Sequence, residues 1–257
     1  MTAVSAGVSA HEAVAGVQAV ALALHGTLLD RDAGIVAALR PWAERHGIAA
    51  NTSGLLDAFA RHEPVRLREN PEQRYPEVLE LVFEDIARDF GITPAGGDAA
   101  AFGEAVSDWP LFAESAEALT ALQRRVRVAV IANIDRASFT AIGARLGVQP
   151  DILVPAADAG AFKPEHAPIE MGVDWLSEIG VGFDGVLYAG QSLYHDIAPA
   201  AALGLRTCWI DRQGQGEGGA WGAAPAPSGE VRPDLRVHTL AELAALLGAS
   251  GPAEPQP

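Results

Sequence analysis

The sequence predicts an α/β chain, a doubly wound parallel sheet with a helical cap inserted after its first strand. Three observations carry that reading. An apolar run from Val17 to Leu24 ends in Gly26-Thr27-Leu28, the form a buried parallel strand takes where it hands over to a loop at the carboxyl edge of a sheet. From Asp32 to about Gly103 the apolar residues recur at helical spacing, with no strand pattern among them. From Glu114 to Ile210 helical and strand patterns alternate, which is the rhythm of a parallel sheet with crossover helices.

Taken in order, residues 1–16 are small and polar without a strong period, and are expected to form a loosely ordered leader. Strand one occupies Val17 to Leu24. In the helical stretch, Ile35, Val36, Leu39 and Trp42 share one face before His46-Gly47. Val78, Leu79, Leu81, Val82, Ile86 and Phe90 do the same before Gly91, so the stretch reads as roughly four helices. The alternation then gives helix 114–125 and strand 126–131, helix 136–146 and strand 151–154, helix 168–179 and strand 185–189, and helix 194–203 and strand 206–210. Residues 213–233 are rich in Gly, Pro and Ala and too long for an ordinary connection, so a flexible flap or disordered loop is expected, with Trp221 either a lid anchor or a surface tack. A last helix covers 240–247. The division is a core of 17–31 and 104–248, a cap of 32–103 sitting over the carboxyl edge, and flexible termini at 1–16 and 249–257.

Composition narrows the function classes. The 257 residues are 49% apolar and 20% charged, a globular composition, and the formal charge of −15 repels phosphate backbones and anionic lipid. Nucleic acid and membrane surfaces are therefore not expected partners. Cationic or amine-bearing partners are favoured, and a homo- or heterodimer is compatible with the chain. The lone Cys208 excludes an intramolecular disulfide and fits a reducing cytoplasm, as a buried small hydrophobe. No Lys or Arg precedes Arg31, so the apolar stretch before it lacks the basic region of a signal peptide, and no run reaches the ~20 apolar residues of a membrane span.

Four segments end strands at one sheet edge: Ala23 to Thr27, Ile131-Ala132-Asn133, Phe162-Lys163-Pro164, and Gly190-Gln191-Ser192 running on to His195-Asp196. In order and spacing they resemble the four motifs of the haloacid dehalogenase (HAD) superfamily. Arg74-Tyr75-Pro76-Glu77-Val78-Leu79, Gln191 to Asp196, and Thr207 to Arg212 resemble its L-2-haloacid dehalogenase-like branch. The resemblance implies a Rossmann-like core and places the family's nucleophilic Asp at Ala23, where this chain has a methyl group. The position two residues on, Asp in the phosphatases and commonly Tyr in the dehalogenases, is His25. The anion-binding Ser or Thr of the second motif corresponds to Ala132, beside Asn133. Lys163 matches the motif-three lysine and Asp196 the acid that pairs with it.

Three departures in two motifs imply drift away from covalent hydrolysis. His25 is a candidate general base, or else a polar filler for a lost aromatic. Lys163 is a candidate for holding an anionic substrate or leaving group, with Asp196 orienting it. Thr27, Asn133, Gln191 and Ser192 are candidate substrate contacts, and His195 is read as a structural hydrogen-bonding residue. Arg61 is the candidate cap arginine for a leaving anion. Ala23 and Gln191 remove two carboxylates that a magnesium shell of this family would use, so no metal and no cofactor are expected.

Two functions of different class follow. One is a metal-independent biosynthetic enzyme that promotes ring closure by intramolecular displacement, or elimination, of an anionic leaving group from a small molecule. The other is a catalytically inactive relative serving as a binding or scaffold subunit. A residual dehalogenase-like hydrolase is the remaining alternative.

Overall fold

The computed structural model of the chain describes residues 3–4, 9–48 and 52–249. In chain order, β1 (Ala3–Val4) and α1 (Ala10–Ala13) precede β2 (Ala19–Leu22). Then come α2 (Arg31–Arg45), α3 (Thr52–Glu69), α4 (Tyr75–Asp89) and α5 (Asp98–Glu104). After α6 (Ser115–Gln123) the alternation runs β3 (Arg127–Ala132), α7 (Arg136–Leu146), β4 (Ile152–Pro155), α8 (Ala156–Ala159), α9 (Ala167–Glu178), β5 (Val186–Gly190), α10 (Ala198–Ala202), β6 (Arg206–Ile210), β7 (Leu235–Val237) and α11 (Leu240–Ala249).

The sheet order is β1-β7-β6-β5-β2-β3-β4, with six strands parallel and β1 antiparallel on the β7 edge. Strand β2 is central, and its Ala21 lies opposite Ala129 of β3 and Tyr188 of β5. Because β3 and β5 leave β2 on opposite sides, the chain direction across the sheet reverses there. The crevice beyond the carboxyl ends of such strands is where open α/β sheets take ligands.

Alternate strand residues feed opposite faces, as the two-residue period requires. Val20, Leu22, Val128, Val130, Leu187 and Ala189 pack on one face with α6, α7 and α11, in a buried cluster that runs on without a break into Trp42, Phe59, Phe83 and Phe102 of the helical segment. Ala19, Ala21, Ala129, Ile131, Val154 and Tyr188 pack on the other face with Ile169 and Leu176 of α9 and Ala200 of α10. Local signals set the ends of these elements. Asp135 caps α7 by accepting from the Ser138 amide at 3.0 Å, and Gly147, at φ 71°, closes it in the left-handed region. Pro76 sits in the first turn of α4, whose Val78, Leu79, Val82, Phe83 and Ile86 make the buried stripe.

Several expectations are corrected. The leader is not wholly loose: Ala3–Val4 pair with β7, and Ala10–Ala13 form a helical turn with a Ser9/Glu12 capping box. The remainder of 1–8, and 250–257 of the tail, lie outside the described residues. The helix expected at 194–203 is a π-helical turn, Leu193–Ile197, followed by α10. Residues 213–233 have little regular structure, yet they are pinned. Gln213 Nε2 donates to Asp32 Oδ2 at 2.5 Å, the Ala223 amide donates to Asp32 Oδ1 at 3.1 Å, and Asp211 accepts from the amides of Gln215 and Gly216 at 2.7 and 3.0 Å. Trp221 stays partly exposed while Ala223 and Ala224 are buried. No helix among the described residues is long and apolar enough to cross a membrane.

Candidate active site

The loops after β2, β3 and β5, together with the 162–164 segment, meet at the crevice. Lys163 is held there in a socket that uses every donor it has. Its Nζ donates to the Ile131 carbonyl at 2.8 Å, to the Tyr188 hydroxyl at 3.1 Å and to Asp196 Oδ1 at 2.6 Å, which fills the three N–H bonds of an ammonium. Its backbone is clamped too. The Lys163 amide donates to Asn133 Oδ1 at 2.7 Å, and Asn133 Nδ2 returns a bond to the Lys163 carbonyl at 2.9 Å. The second oxygen of Asp196 accepts from the Ser192 amide at 3.1 Å. Gly190 makes room for that carboxylate, since a Cβ there would lie 2.7 Å from Asp196 atoms.

Across from this socket is a cavity of about 20 Å³, lined by Ala23, Leu24, His25, Arg31, Glu63, Asn133, Lys163, Ser192, His195 and Asp196. That is space for about one water. Ala23 presents its methyl to it. Four buried polar atoms on its wall have no hydrogen-bond partner among the described residues: His25 Nε2, Arg31 Nε, Glu63 Oε2 and His195 Nε2. Native interiors leave few such atoms, and four around one small space are polar groups that a water, an ion or a ligand would satisfy.

The electrostatics follow from burial. Desolvation, reinforced by the Arg31 and Lys163 cations, holds the His25 imidazole well below its ordinary pKa, so it is a neutral base. Its ring stacks on Tyr75 at 5.1 Å between centroids and meets Trp109 at 5.4 Å. Desolvation likewise holds His195 down, aided by Arg31, Lys163 and His25. Glu63, 2% exposed, moves the other way: burial raises its pKa, Asp196 adds to that, and Arg31 with the Tyr75 hydrogen bond partly offsets it. The Tyr75 hydroxyl donates to Glu63 Oε1 at 2.6 Å.

Of the residues singled out in the sequence, His25, Lys163, Asp196, Asn133 and Ser192 share this cavity, and Thr27 and Gln191 lie outside it. Thr27 Oγ1 accepts from the Gln191 amide at 3.2 Å, and the Gln191 side chain lies against Gly26, so the pair ties two loops together. Ser192 Oγ accepts from the His195 amide at 3.0 Å and caps the π-helical turn. Arg61 is exposed and bound to Asp89 at 2.7 Å, away from the cavity. The residues also do not suit a magnesium shell, because Ala23 offers no side-chain oxygen and both Asp196 oxygens already accept bonds, from Lys163 and the Ser192 amide. No group of three or more His, Cys, Asp or Glu among the described residues is placed to hold a metal.

Arg31 and Glu63 lie outside the quoted motifs, and Tyr75, inside one of them, carried no assigned role. A signal for two of them was nonetheless present in the periodicity. On α3 the buried stripe runs Leu55, Phe59, Glu63, Leu67, and on α2 it runs Arg31, Ile35, Leu39, Trp42. A charged residue in step with an apolar stripe is a buried charge, and buried charges need a reason.

No family model and no curated protein matches the chain. Solved structures do. The L-2-haloacid dehalogenase of Xanthobacter autotrophicus superposes over 91% of this chain and 100% of its own, with a TM-score of 0.73 and 17% identity. A defluorinating L-2-haloacid dehalogenase covers 90% of this chain and 95% of its own at a TM-score of 0.68 and 21% identity. A HAD-hydrolase of Bacillus subtilis bound to magnesium covers 90% and 98% at 0.69 and 18%. These likenesses span nearly the whole chain, parallel sheet and crossover helices alike, and on that ground it has the haloacid dehalogenase fold.

Proposed function

We propose that the chain is a HAD-superfamily enzyme that has given up the covalent route and promotes intramolecular displacement or elimination on a small molecule with an anionic group. The observation that supports this is the Ala23 methyl facing a cavity whose wall carries unpaired basic and acidic atoms. Loss of a covalent nucleophile costs a hydrolase on the order of 10⁶ in turnover. Holding a substrate's own nucleophile against its reacting carbon supplies roughly 7–11 kcal/mol of barrier lowering.

In the proposed step, the lone pair of a substrate amine or hydroxyl forms a bond to the carbon bearing the leaving group. The carbon–leaving-group bond breaks with its electron pair, and the anion departs. The proton lost by the nucleophile, or by the neighbouring carbon in an elimination, passes to His25 Nε2. Lys163 acts through its field rather than by direct contact, because its three N–H bonds are taken. Asn133 and Asp196 position it. Segment 32–103 serves as a cap whose Glu63, held by Tyr75, closes the cavity, and substrate entry requires that segment to lift, since the closed space holds about one water. The B. subtilis neighbour is described as revealing interdomain movement, which supports that requirement.

The test is incubation of the protein with halogenated carboxylates that carry an internal amine or hydroxyl, in water labelled with heavy oxygen. Halide release with a cyclic or unsaturated, unlabelled product is expected. A labelled hydroxy acid would return the residual hydrolase reading. A folded protein that releases no halide and co-purifies with a partner would be a binding subunit instead.

A further inference from the structure

The cap-facing wall carries a charge pair that the displacement scheme leaves unused. Arg31 is 4% exposed, and its buried Nε has no hydrogen-bond partner among the described residues. Its nearest carboxylate is Asp32, with Oδ1 3.9 Å from Nε, and both oxygens of Asp32 already accept bonds from Ala223 and Gln213. Guanidinium is a planar fork of five donors that suits a carboxylate bidentately, and burying it unfilled is costly. Glu63 shares the cavity, with Oε1 taken by Tyr75 and Oε2 unpartnered, 3.9 Å from His195 Nε2. Arg31 and Glu63 lie close enough for each to feel the other's charge, yet they form no ion pair. Two buried groups of opposite charge, each with one atom lacking a hydrogen bond, leave a gap for a molecule with one charge of each sign.

We infer that Arg31 and Glu63 form an amino-carboxylate site, with the Arg31 fork taking the substrate's carboxylate and Glu63 Oε2 accepting from its amine. This deepens the proposed function and rests on its placing of the substrate at this cavity. It narrows the substrate to an amino acid bearing a leaving group, whose ammonium first passes one proton to Glu63 Oε2 and, as the free amine, then attacks the reacting carbon and gives its second proton to His25. It also agrees with the acidic chain's preference for amine-bearing partners.

The experiment is thermal unfolding with L-2-aminobutyrate, L-lactate, propionate and sodium chloride as probes, on the wild type, Arg31→Met and Glu63→Gln. The glutamine keeps an acceptor for Tyr75, and circular dichroism checks that each variant is folded. Aminobutyrate at 100 times its dissociation constant is expected to raise the wild-type Tm by roughly 5–10 °C, with smaller shifts for lactate and propionate and none for chloride. Arg31→Met is expected to abolish every shift. Glu63→Gln is expected to reduce aminobutyrate to the level of lactate and leave propionate unchanged. A shift that survives Arg31→Met, equal shifts for aminobutyrate and propionate in the wild type, or no shift with any carboxylate would overturn the site. Binding through both residues without halide release sinks the displacement reading and leaves the site standing. Halide release from a substrate lacking the carboxylate or the amine does the reverse.

Discussion

The two walls of the cavity are built on opposite plans. On the sheet side, Lys163, Asp196, Asn133 and Tyr188 satisfy one another, and the Lys163 ammonium has no donor left. On the side formed by the β2 loop and the helical segment, His25, Arg31 and Glu63 each leave a buried polar atom without a partner. Fully paired networks hold a fold in one arrangement, whereas unpaired buried groups raise its energy until a ligand arrives. The motif residues that survive in this chain therefore do the holding. Of the cavity's polar atoms left without a partner, those of Arg31 and Glu63 lie outside the motifs and those of His25 and His195 within them.

That contrast breaks first at Lys163. Lys163→Met is expected to destabilise the protein by about 3–5 kcal/mol in urea unfolding, because it leaves the Asp196 carboxylate buried and uncompensated. Adding Asp196→Leu is expected to recover most of the loss, and a cost below about 1 kcal/mol for the single variant would remove the holding role. Arg31→Met is the mirror experiment. In the absence of ligand it is expected to stabilise the chain by about 1–3 kcal/mol, since it removes a buried charge whose Nε has no hydrogen-bond partner. Destabilisation instead would place Arg31 among the holding residues.

Acidity sharpens the comparison further. His25 and His195 stay neutral in the fold below their ordinary value of 6.5, while the unfolded chain takes up protons there. The unfolded state binds more protons, so stability contributed at these sites is lost as pH falls from 6.5 towards the depressed folded values. A His25→Gln/His195→Gln double variant is expected to flatten that part of the stability profile. Glu63 has the opposite sign: its raised pKa makes stability fall as pH rises through and above the ordinary carboxylate range, and Glu63→Gln is expected to remove the slope. Denaturant midpoints measured from pH 4 to pH 7 check both. The smallest effect belongs to Arg61→Ala, whose exposed pair with Asp89 is expected to contribute less than about 0.5 kcal/mol and nothing to ligand affinity. A loss of carboxylate binding in that variant would return Arg61 to the site.

The fold was legible because strands buried on both faces, such as Val128 to Ile131, announce themselves by continuous apolar character, and the crossover helices by their stripes. The paired wall was legible because it comes from short contiguous motifs, although Lys163 stands in the loop beyond α8 and Asp196 in the π-helical turn after β5 rather than at strand ends. On the unpaired wall His25 was legible, but Arg31 and Glu63 were not, because together with Tyr75 they come from the starts and middles of three helices and meet only through tertiary packing. Their pattern was available as interruptions of apolar stripes, but an interrupted stripe does not say what the charge faces. Asn133 and Thr27 illustrate the converse: both sit where substrate contacts were expected, and both spend their side chains on neighbouring backbone.

The loop after β6 reaches back across the molecule to the first turn of α2. Gly222, at φ 60°, passes so close to Asp32 that a Cβ there would lie 1.9 Å from Oδ2, and Asp32 is the residue beside Arg31. The residue next to Arg31 is thus braced by a segment that does not line the cavity. Substitutions at Gln213, Gly222 or Ala223 are therefore expected to move Asp32 and, through it, Arg31, so that ligand preference at the proposed site is adjustable from the periphery. A directed library confined to 213–224 would explore new specificities while leaving the buried wall untouched.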